Sequence, residues 1–319
     1  MTDLQGVLLD TDTFGTDDLD LNTIHELPLQ WQSYGNTTPE QVIERLAGAH
    51  VVVTNKVPIS AEVLAAIPQL RMIVVAATGT NNIDLVAAKA AGVVVSNCVA
   101  YGSNSVAQHT VALMLALSSR IFDYHRDVMA GRWQQSPMFC RLDYPAQELS
   151  GKTLGIVGYG ELGKGVAHIA EALSMDIQVA ALPGREGPGR IPLQELLPQV
   201  DVLSLHCPLT PETHNLIDAP QLAAMKSTAL LLNVARGGIV NEQALADALR
   251  TGQIAGAAVD VLTEEPPKNG NPLLANDLPN LLITPHCAWG GRQARQTLIE
   301  QVAENIRGFL AGQPKRLVE

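Results

Sequence analysis

Short apolar runs alternate with amphipathic stretches along almost the whole chain, the pattern of α/β layers built around parallel strands. In the first third, "GVLLD", "WQSY", "HVVVTN", "RMIVVAA" and "GVVVSN" predict strands. Between them "TPEQVIERLAGA" predicts a helix, with Thr38 as its cap and Pro39 in its first turn. That set makes a small doubly wound domain. The stretch "SNSVAQHTVALMLALSSR", Ser103 to Arg120, is apolar on most sides and predicts a long, mostly buried helix. The polar and aromatic segment after it, which contains Gly and Pro, reads as a connector. A second series follows: "TLGIVG", "IQVAAL", "DVLSLHC", "ALLLNVA", "GAAVDV" and "NLLITPH". Helices fit between these strands, for example "NEQALADALRTG", capped by Asn241 and stopped at Gly252. The last segment, "GRQARQTLIEQVAENIRGFLAGQ", is an amphipathic helix beyond the final strand.

Two such series need two cores, and 319 residues suffice for them. With 46 % hydrophobic and 17 % charged residues, the chain has ample material to bury and no sign of disorder. The formal net charge of −11 argues against nucleic acid or anionic lipid as partners. An anionic small substrate therefore needs a locally positive pocket. No apolar run approaches the roughly 18 residues of a spanning helix, and the acidic start "MTDLQGVLLDTD" lacks the order of a secretion signal. Cys98, Cys140, Cys207 and Cys287 have neither metal-ligand nor disulfide spacing, so reduced thiols in a cytoplasmic protein are expected.

The strand "TLGIV" runs directly into "GYGELG" and a helix opening near Glu161. Gly158 allows a tight turn, Gly160 lets backbone approach a pyrophosphate, and Gly163 lets helix and strand pack closely. The anion then meets free amides at the positive end of the helix. The strand after such a turn usually ends in Asp or Glu, which accepts hydrogen bonds from the ribose hydroxyls. Here it ends in Ala181 and Leu182, followed by Pro183, Gly184 and Arg185.

Three polar residues suit hydride-transfer chemistry. Arg236, in "LLNVARGGIVNE", stands just past an apolar strand, where open α/β sheets bind ligands. Its planar, permanently charged fork suits two-point recognition of a 2-oxo acid. His286, in "LLITPHCAWGG", also follows a strand end, and imidazole is the natural proton donor to a forming alkoxide near neutral pH. Glu265, in "DVLTEEPP", is the candidate carboxylate that favours its charged form.

"VAATGTNNIDL", "SVAQHTVALMLAL", "GKTLGIVGYGELG", "LHCPLTPET", "NVARGGIVNE", "AAVDVLTEEPP" and "ITPHCAWG" together resemble the D-isomer-specific 2-hydroxyacid dehydrogenases, in that family's order and over nearly the whole chain. The likeness is to the glycerate dehydrogenase (hydroxypyruvate reductase) branch. It implies an α/β fold in which a Rossmann-type nucleotide-binding domain, residues 99–287, is inserted into a smaller flavodoxin-like substrate domain, residues 1–98 plus 288–319. Arg236, Glu265 and His286 would be catalytic, with Glu264 a bystander. Ala77, Thr78 and Gly79 would hold the substrate carboxylate, Trp289 would form a pocket wall, and Lys56 would be a further basic contact. Cofactor contacts would come from Gly158, Gly160, Glu161, Leu162, Gly163, Gly184, Arg185, Cys207, Pro208, Thr213, Val234, Ala235 and Asp260. No metal is implied. The family is typically a homodimer through its nucleotide domains, with the connector around Met138 and Phe139 reaching the partner.

The expected reaction is NAD(P)H-dependent reduction of small 2-oxo acids, hydroxypyruvate or glyoxylate, to D-2-hydroxy acids such as D-glycerate. Because Ala181 stands where NAD-specific members carry Asp, and Arg185 follows, NADP(H) is expected in preference to NAD(H). Rival readings are a nucleotide-sensing corepressor without turnover, or a D-lactate or 3-phosphoglycerate dehydrogenase. The sensor needs no acid–base pair, whereas this chain has both partners of one.

Overall fold

A computed structural model describes residues 4–182 and 186–318. It divides into two compact units, Met1–Gly102 with Gly290–Glu319, and Ser103–Trp289.

In the first unit, β1 (Gln5–Leu8), β2 (Gln30–Ser33), β3 (Val51–Thr54), β4 (Met72–Val75) and β5 (Val94–Ser96) form one parallel sheet in the order β2-β1-β3-β4-β5. This is the flavodoxin-type order. β3 and β4 are buried at every position, as near-continuous apolar runs covered on both faces are. β2 is the exposed edge. Gly6 pairs with Trp31, and a Cβ at Gly6 would lie 2.6 Å from the indole ring, so this register needs glycine. The helix Arg292–Leu310 belongs to this unit and buries Leu298, Ile299, Val302 and Ile306. The chain after it is fastened to β5 by Ser96 Oγ donating to the Lys315 carbonyl (2.7 Å).

The second unit is a seven-stranded parallel sheet. Its strands are β6 (Thr153–Val157), β7 (Asp176–Ala181), β8 (Arg190–Pro192), β9 (Val202–Leu205), β10 (Leu230–Asn233), β11 (Gly256–Val259) and β12 (Leu281–Ile283). They run in the order β12-β11-β10-β9-β6-β7-β8. Strand order reverses at β6 and β9, and in open α/β sheets ligands bind at the strand ends beside such a reversal. One core cluster includes Leu205, Leu231, Ile239 and Val259; another includes Met114, Leu154, Ile156 and Leu232. The helices Ser103–Ser118 and Glu161–Ala172 pack tightly, since a Cβ on Gly165 would sit 3.2 Å from that of Ala107.

Several expectations need adjustment. The first crossing between units falls after Gly102 rather than 98, where the long helix begins. The second falls after Trp289 rather than 287, because Ala288 is in the second core and accepts a 2.7 Å bond from Ser105 Oγ. Thr38 is the cap, as expected, and forms a capping box with Gln41, but the helix is only a 3-10 turn, Pro39–Gln41, and Val42–Arg45. The expected connector contains the helix Ile121–Met129. Its composition hides it, for its buried face carries Asp123 and Asp127, paired with Arg120 and Arg126, and with Arg132 and Arg141. β8, three residues on the sheet edge, was not expected.

On β9 and just past it, Ser204 Oγ lies 2.8 Å from His206 Nε2, while Nδ1 is buried without a partner among the described residues. Burial pushes this imidazole down to about 4, so it is neutral near pH 7. Between about pH 6.5 and 4 the unfolded chain would bind a proton here that the folded chain refuses, so stability falls as pH falls. Urea unfolding across that window should show a smaller loss for His206→Gln than for the parent. Parallel losses would contradict the assignment.

Candidate active site

The glycine turn has the shape that a dinucleotide requires. Gly158 has φ +97°, and a Cβ there would lie 2.6 Å from the backbone nitrogen of Cys207. A Cβ on Gly163 would run into the Gly158 carbonyl, whereas one on Gly160 would meet nothing within 4 Å. Thus the first and third glycines close the turn and the second leaves open space at the start of the helix Glu161–Ala172. Gly160 provides no side-chain cap for the free amides there, and Glu161 and Leu162 form its first turn. These residues fit a pyrophosphate cradle. Cys207 and Pro208 follow β9 at the same sheet edge, and Val234 and Ala235 are buried after β10. Thr213 Oγ1 donates to the Pro208 carbonyl (2.7 Å) and accepts from Thr210 N (2.7 Å), which fixes the turn after Pro208. Ala181 ends β7. Gly184 and Arg185 lie outside the described residues.

Glu265 and His286 meet directly. Glu265 Oε2 is 2.6 Å from His286 Nδ1, and Oε1 accepts from the Leu262 amide at 2.9 Å. The side chains are about one-third and one-quarter exposed, 33 % and 28 %, so the pair is held yet accessible. With Nδ1 turned to the carboxylate, Nε2 is the nitrogen left to exchange a proton with a bound acid. Glu264 instead accepts from Asn269 Nδ2 at 2.9 and 3.1 Å, apart from that pair.

Arg236 follows β10, is exposed, and donates from Nη1 to its neighbour's carbonyl, Ala235 O (2.7 Å). The next residue, Gly237, lies flush on the Leu262 carbonyl, where any Cβ would collide. The arginine turn therefore rests on the backbone of the loop that carries Glu265. In this way the structure brings the three strand-end segments together.

His286 has φ +51°, a left-handed conformation costly for a side-chain-bearing residue. Asp260, 1 % exposed, enforces it. Asp260 Oδ1 accepts from Thr284 Oγ1 (2.5 Å) and Cys287 N (3.0 Å), and Oδ2 accepts from Ala288 N (2.9 Å). The Asp260 carbonyl accepts from His286 N (2.7 Å). A residue expected to face the cofactor is thus also the anchor of the histidine loop. Trp289 Nε1 donates to the His286 carbonyl (3.0 Å), closing the segment on itself.

In the first unit, Ala77, Thr78 and Gly79 follow β4, with Asn97 Nδ2 donating to Thr78 O (2.8 Å) and Cys98 N to Ala77 O (3.0 Å). Lys56 follows β3 with its side chain exposed. Its amide donates to the buried Asp10 carboxylate (2.6 Å), which also accepts from Asn55 and Val57. Burial raises the Asp10 carboxyl above its usual range, against those hydrogen bonds.

Asp10, His109, Thr284 and Cys287 were missed in the sequence. His109 Nε2 is 3.0 Å from Thr284 Oγ1 and 3.7 Å from Asp260 Oδ1. Burial and the Asp260 charge push the Cys287 thiol up, which makes it a poor nucleophile. A lone histidine in an apolar helix and a cysteine beside His286 carry no spacing signal.

A glycine cradle at a sheet reversal, with an acid–base pair at neighbouring strand ends, defines a nicotinamide-dependent oxidoreductase. The family model for "D-isomer specific 2-hydroxyacid dehydrogenase, NAD binding domain" matches residues 111–288. The chain is 48 % identical to the glycerate dehydrogenase of Methylorubrum extorquens, over 92 % of this chain and 93 % of that protein. It is 39 % identical to the hydroxypyruvate reductase of Blautia hydrogenotrophica, over 88 % of each. Among solved structures, the TT0316 protein of Thermus thermophilus matches with a TM-score of 0.86 and 33 % identity, over 99 % of this chain and 100 % of that one. The chain belongs to the D-isomer specific 2-hydroxyacid dehydrogenases.

Asp260→Ala would leave buried donors unpaired, at about 1–3 kcal/mol for each group that water cannot reach. Urea unfolding should show a stability loss in that range or above. A change below about 0.5 kcal/mol, the usual effect of a surface substitution, would mean the anchor is not needed.

Proposed function

We propose that the protein reduces small 2-oxo acids, hydroxypyruvate and glyoxylate among them, to D-2-hydroxy acids such as D-glycerate. The observation that carries this reading is the 2.6 Å contact of His286 with Glu265 on a loop against which the Arg236 turn is packed. A reduced nicotinamide, when bound, supplies the hydride. Arg236 pairs with the substrate carboxylate and polarises the 2-oxo group, as its two-point donor geometry suits. His286, its Nδ1 proton held by Glu265, delivers the Nε2 proton to the forming alkoxide. In the oxidative direction the same nitrogen takes that proton back.

The cofactor is NADP(H) in preference to NAD(H). Support comes from Ala181 at the end of β7, where no carboxylate repels a 2′-phosphate, and from the Gly184-Arg185 sequence. The protein works as a homodimer. The segment 121–142 bears Met129, Met138, Phe139 and Leu142 at 62–87 % exposure, apolar surface that a second copy would cover. A cytoplasmic setting agrees with four free thiols and with the absence, among the described residues, of any helix long and apolar enough to cross a membrane.

Steady-state turnover of hydroxypyruvate, glyoxylate and pyruvate with each cofactor tests this reading. Hydroxypyruvate and glyoxylate should be reduced with NADPH favoured, and His286→Ala should lower turnover by about 10² to 10⁴. A loss of less than about threefold would remove His286 from the proton step. Arg185→Ala should weaken NADPH binding by about tenfold to a hundredfold and leave NADH unchanged, whereas equal losses would show that this arginine does not read the phosphate.

A further inference from the structure

One residue past His286, three donors of different chemistry gather that the reduction does not use together. His109 Nε2, a carboxylate oxygen of Asp260 and Cys287 Sγ all lie within 4.8 Å of one another. They come from the helix Ser103–Ser118, the end of β11 and the histidine loop. Bonds of about 2.0–2.3 Å place tetrahedral zinc ligands about 3.3–3.7 Å apart. His109 Nε2 and Asp260 Oδ1, at 3.7 Å, already have that separation. Cys287 Sγ completes the set within 4.8 Å and has to be drawn in, with its backbone, to close the third side.

The donor set selects the metal. Thiolate with imidazole favours zinc-class ions, whereas magnesium and calcium take oxygen ligands. The surroundings are also those of a ligand set. Asp260 is oriented by the amides of Cys287 and Ala288, the outer-shell support that metal carboxylates usually have. Thr284 Oγ1 bridges the gap, 3.0 Å from Nε2 and 2.5 Å from Oδ1, so its hydrogen bonds join the groups that a cation would link.

We propose that His109, Asp260 and Cys287 form an inhibitory site for a zinc-class divalent cation, with water as fourth ligand. On binding, the Cys287 S–H bond breaks, its proton goes to solvent and a metal–sulfur bond forms, with no change of oxidation state. The imidazole moves its hydrogen to Nδ1 and offers Nε2 to the metal, and the Thr284 hydroxyl turns away. Drawing Cys287 toward His109 shifts the preceding residue, His286, off Glu265, and turnover stops.

The test titrates the metal-stripped, full-length protein with Zn²⁺, and with Cd²⁺ as a spectroscopic stand-in. Calorimetry should give one ion per chain, Cd²⁺ should produce ultraviolet thiolate charge-transfer absorption, and Zn²⁺ should inhibit reduction until a chelator is added. Cys287→Ala should retain turnover, lose the absorption and bind Zn²⁺ at least about tenfold more weakly. His109→Asn should weaken binding similarly but keep the absorption, and Cys140→Ala should match the parent. The site is refuted if Cys287→Ala binds Zn²⁺ with the parent's affinity, or if no thiolate absorption appears. Calorimetry and absorption do not depend on turnover, so their outcome is separate from that of the proposed reaction.

Discussion

A buried carboxylate must find donors, and Asp260 finds them in the segment that carries His286. Its oxygens gather Thr284 Oγ1 and the amides of Cys287 and Ala288, and its carbonyl takes the amide of His286 itself. The chain meets those bonds with His286 in a left-handed conformation. That conformation costs about 1–3 kcal/mol, which several hydrogen bonds to a buried charge offset. The placing of the His286 ring thus follows from a carboxylate one strand away, and Glu265 holds its Nδ1 from outside.

Close backbone approach is the second constraint. Gly163 lies against the Gly158 carbonyl, and Gly237 against that of Leu262. The first contact shapes the nucleotide cradle; the second lays the arginine turn on the loop of the acid–base pair. Both are contacts that any side chain would break. Gly160 differs, since the space above it is empty, and that space is where a pyrophosphate needs room.

Much of this was legible in the chain because the signals are local. β3, β4, β9, β10 and β11 read as mainly apolar runs, and the structure buries every one of their residues. Arg236 and His286 could be singled out because each stands just past a strand, whereas the choice of Glu265 over Glu264 came from the family resemblance. What escaped depends on partners distant in sequence. The helix Ile121–Met129 turns Asp123 and Asp127 inward, so its buried face reads as polar until the pairing arginines are known. His109 gains meaning through Thr284, 175 positions away, and through Asp260. The boundary at Trp289 rests on the Ser105–Ala288 bond, which no local pattern reveals.

The central claim is that Glu265 acts only through His286, as orienter of one proton donor. A double-mutant cycle on the turnover of hydroxypyruvate tests it most directly, with Glu265→Gln, His286→Ala and the double variant each compared with the parent. Residues that work as a unit give strongly non-additive losses, so Glu265→Gln should cost nothing further once His286 is gone. Losses that multiply would mean that Glu265 contributes to the reaction independently, contradicting the account.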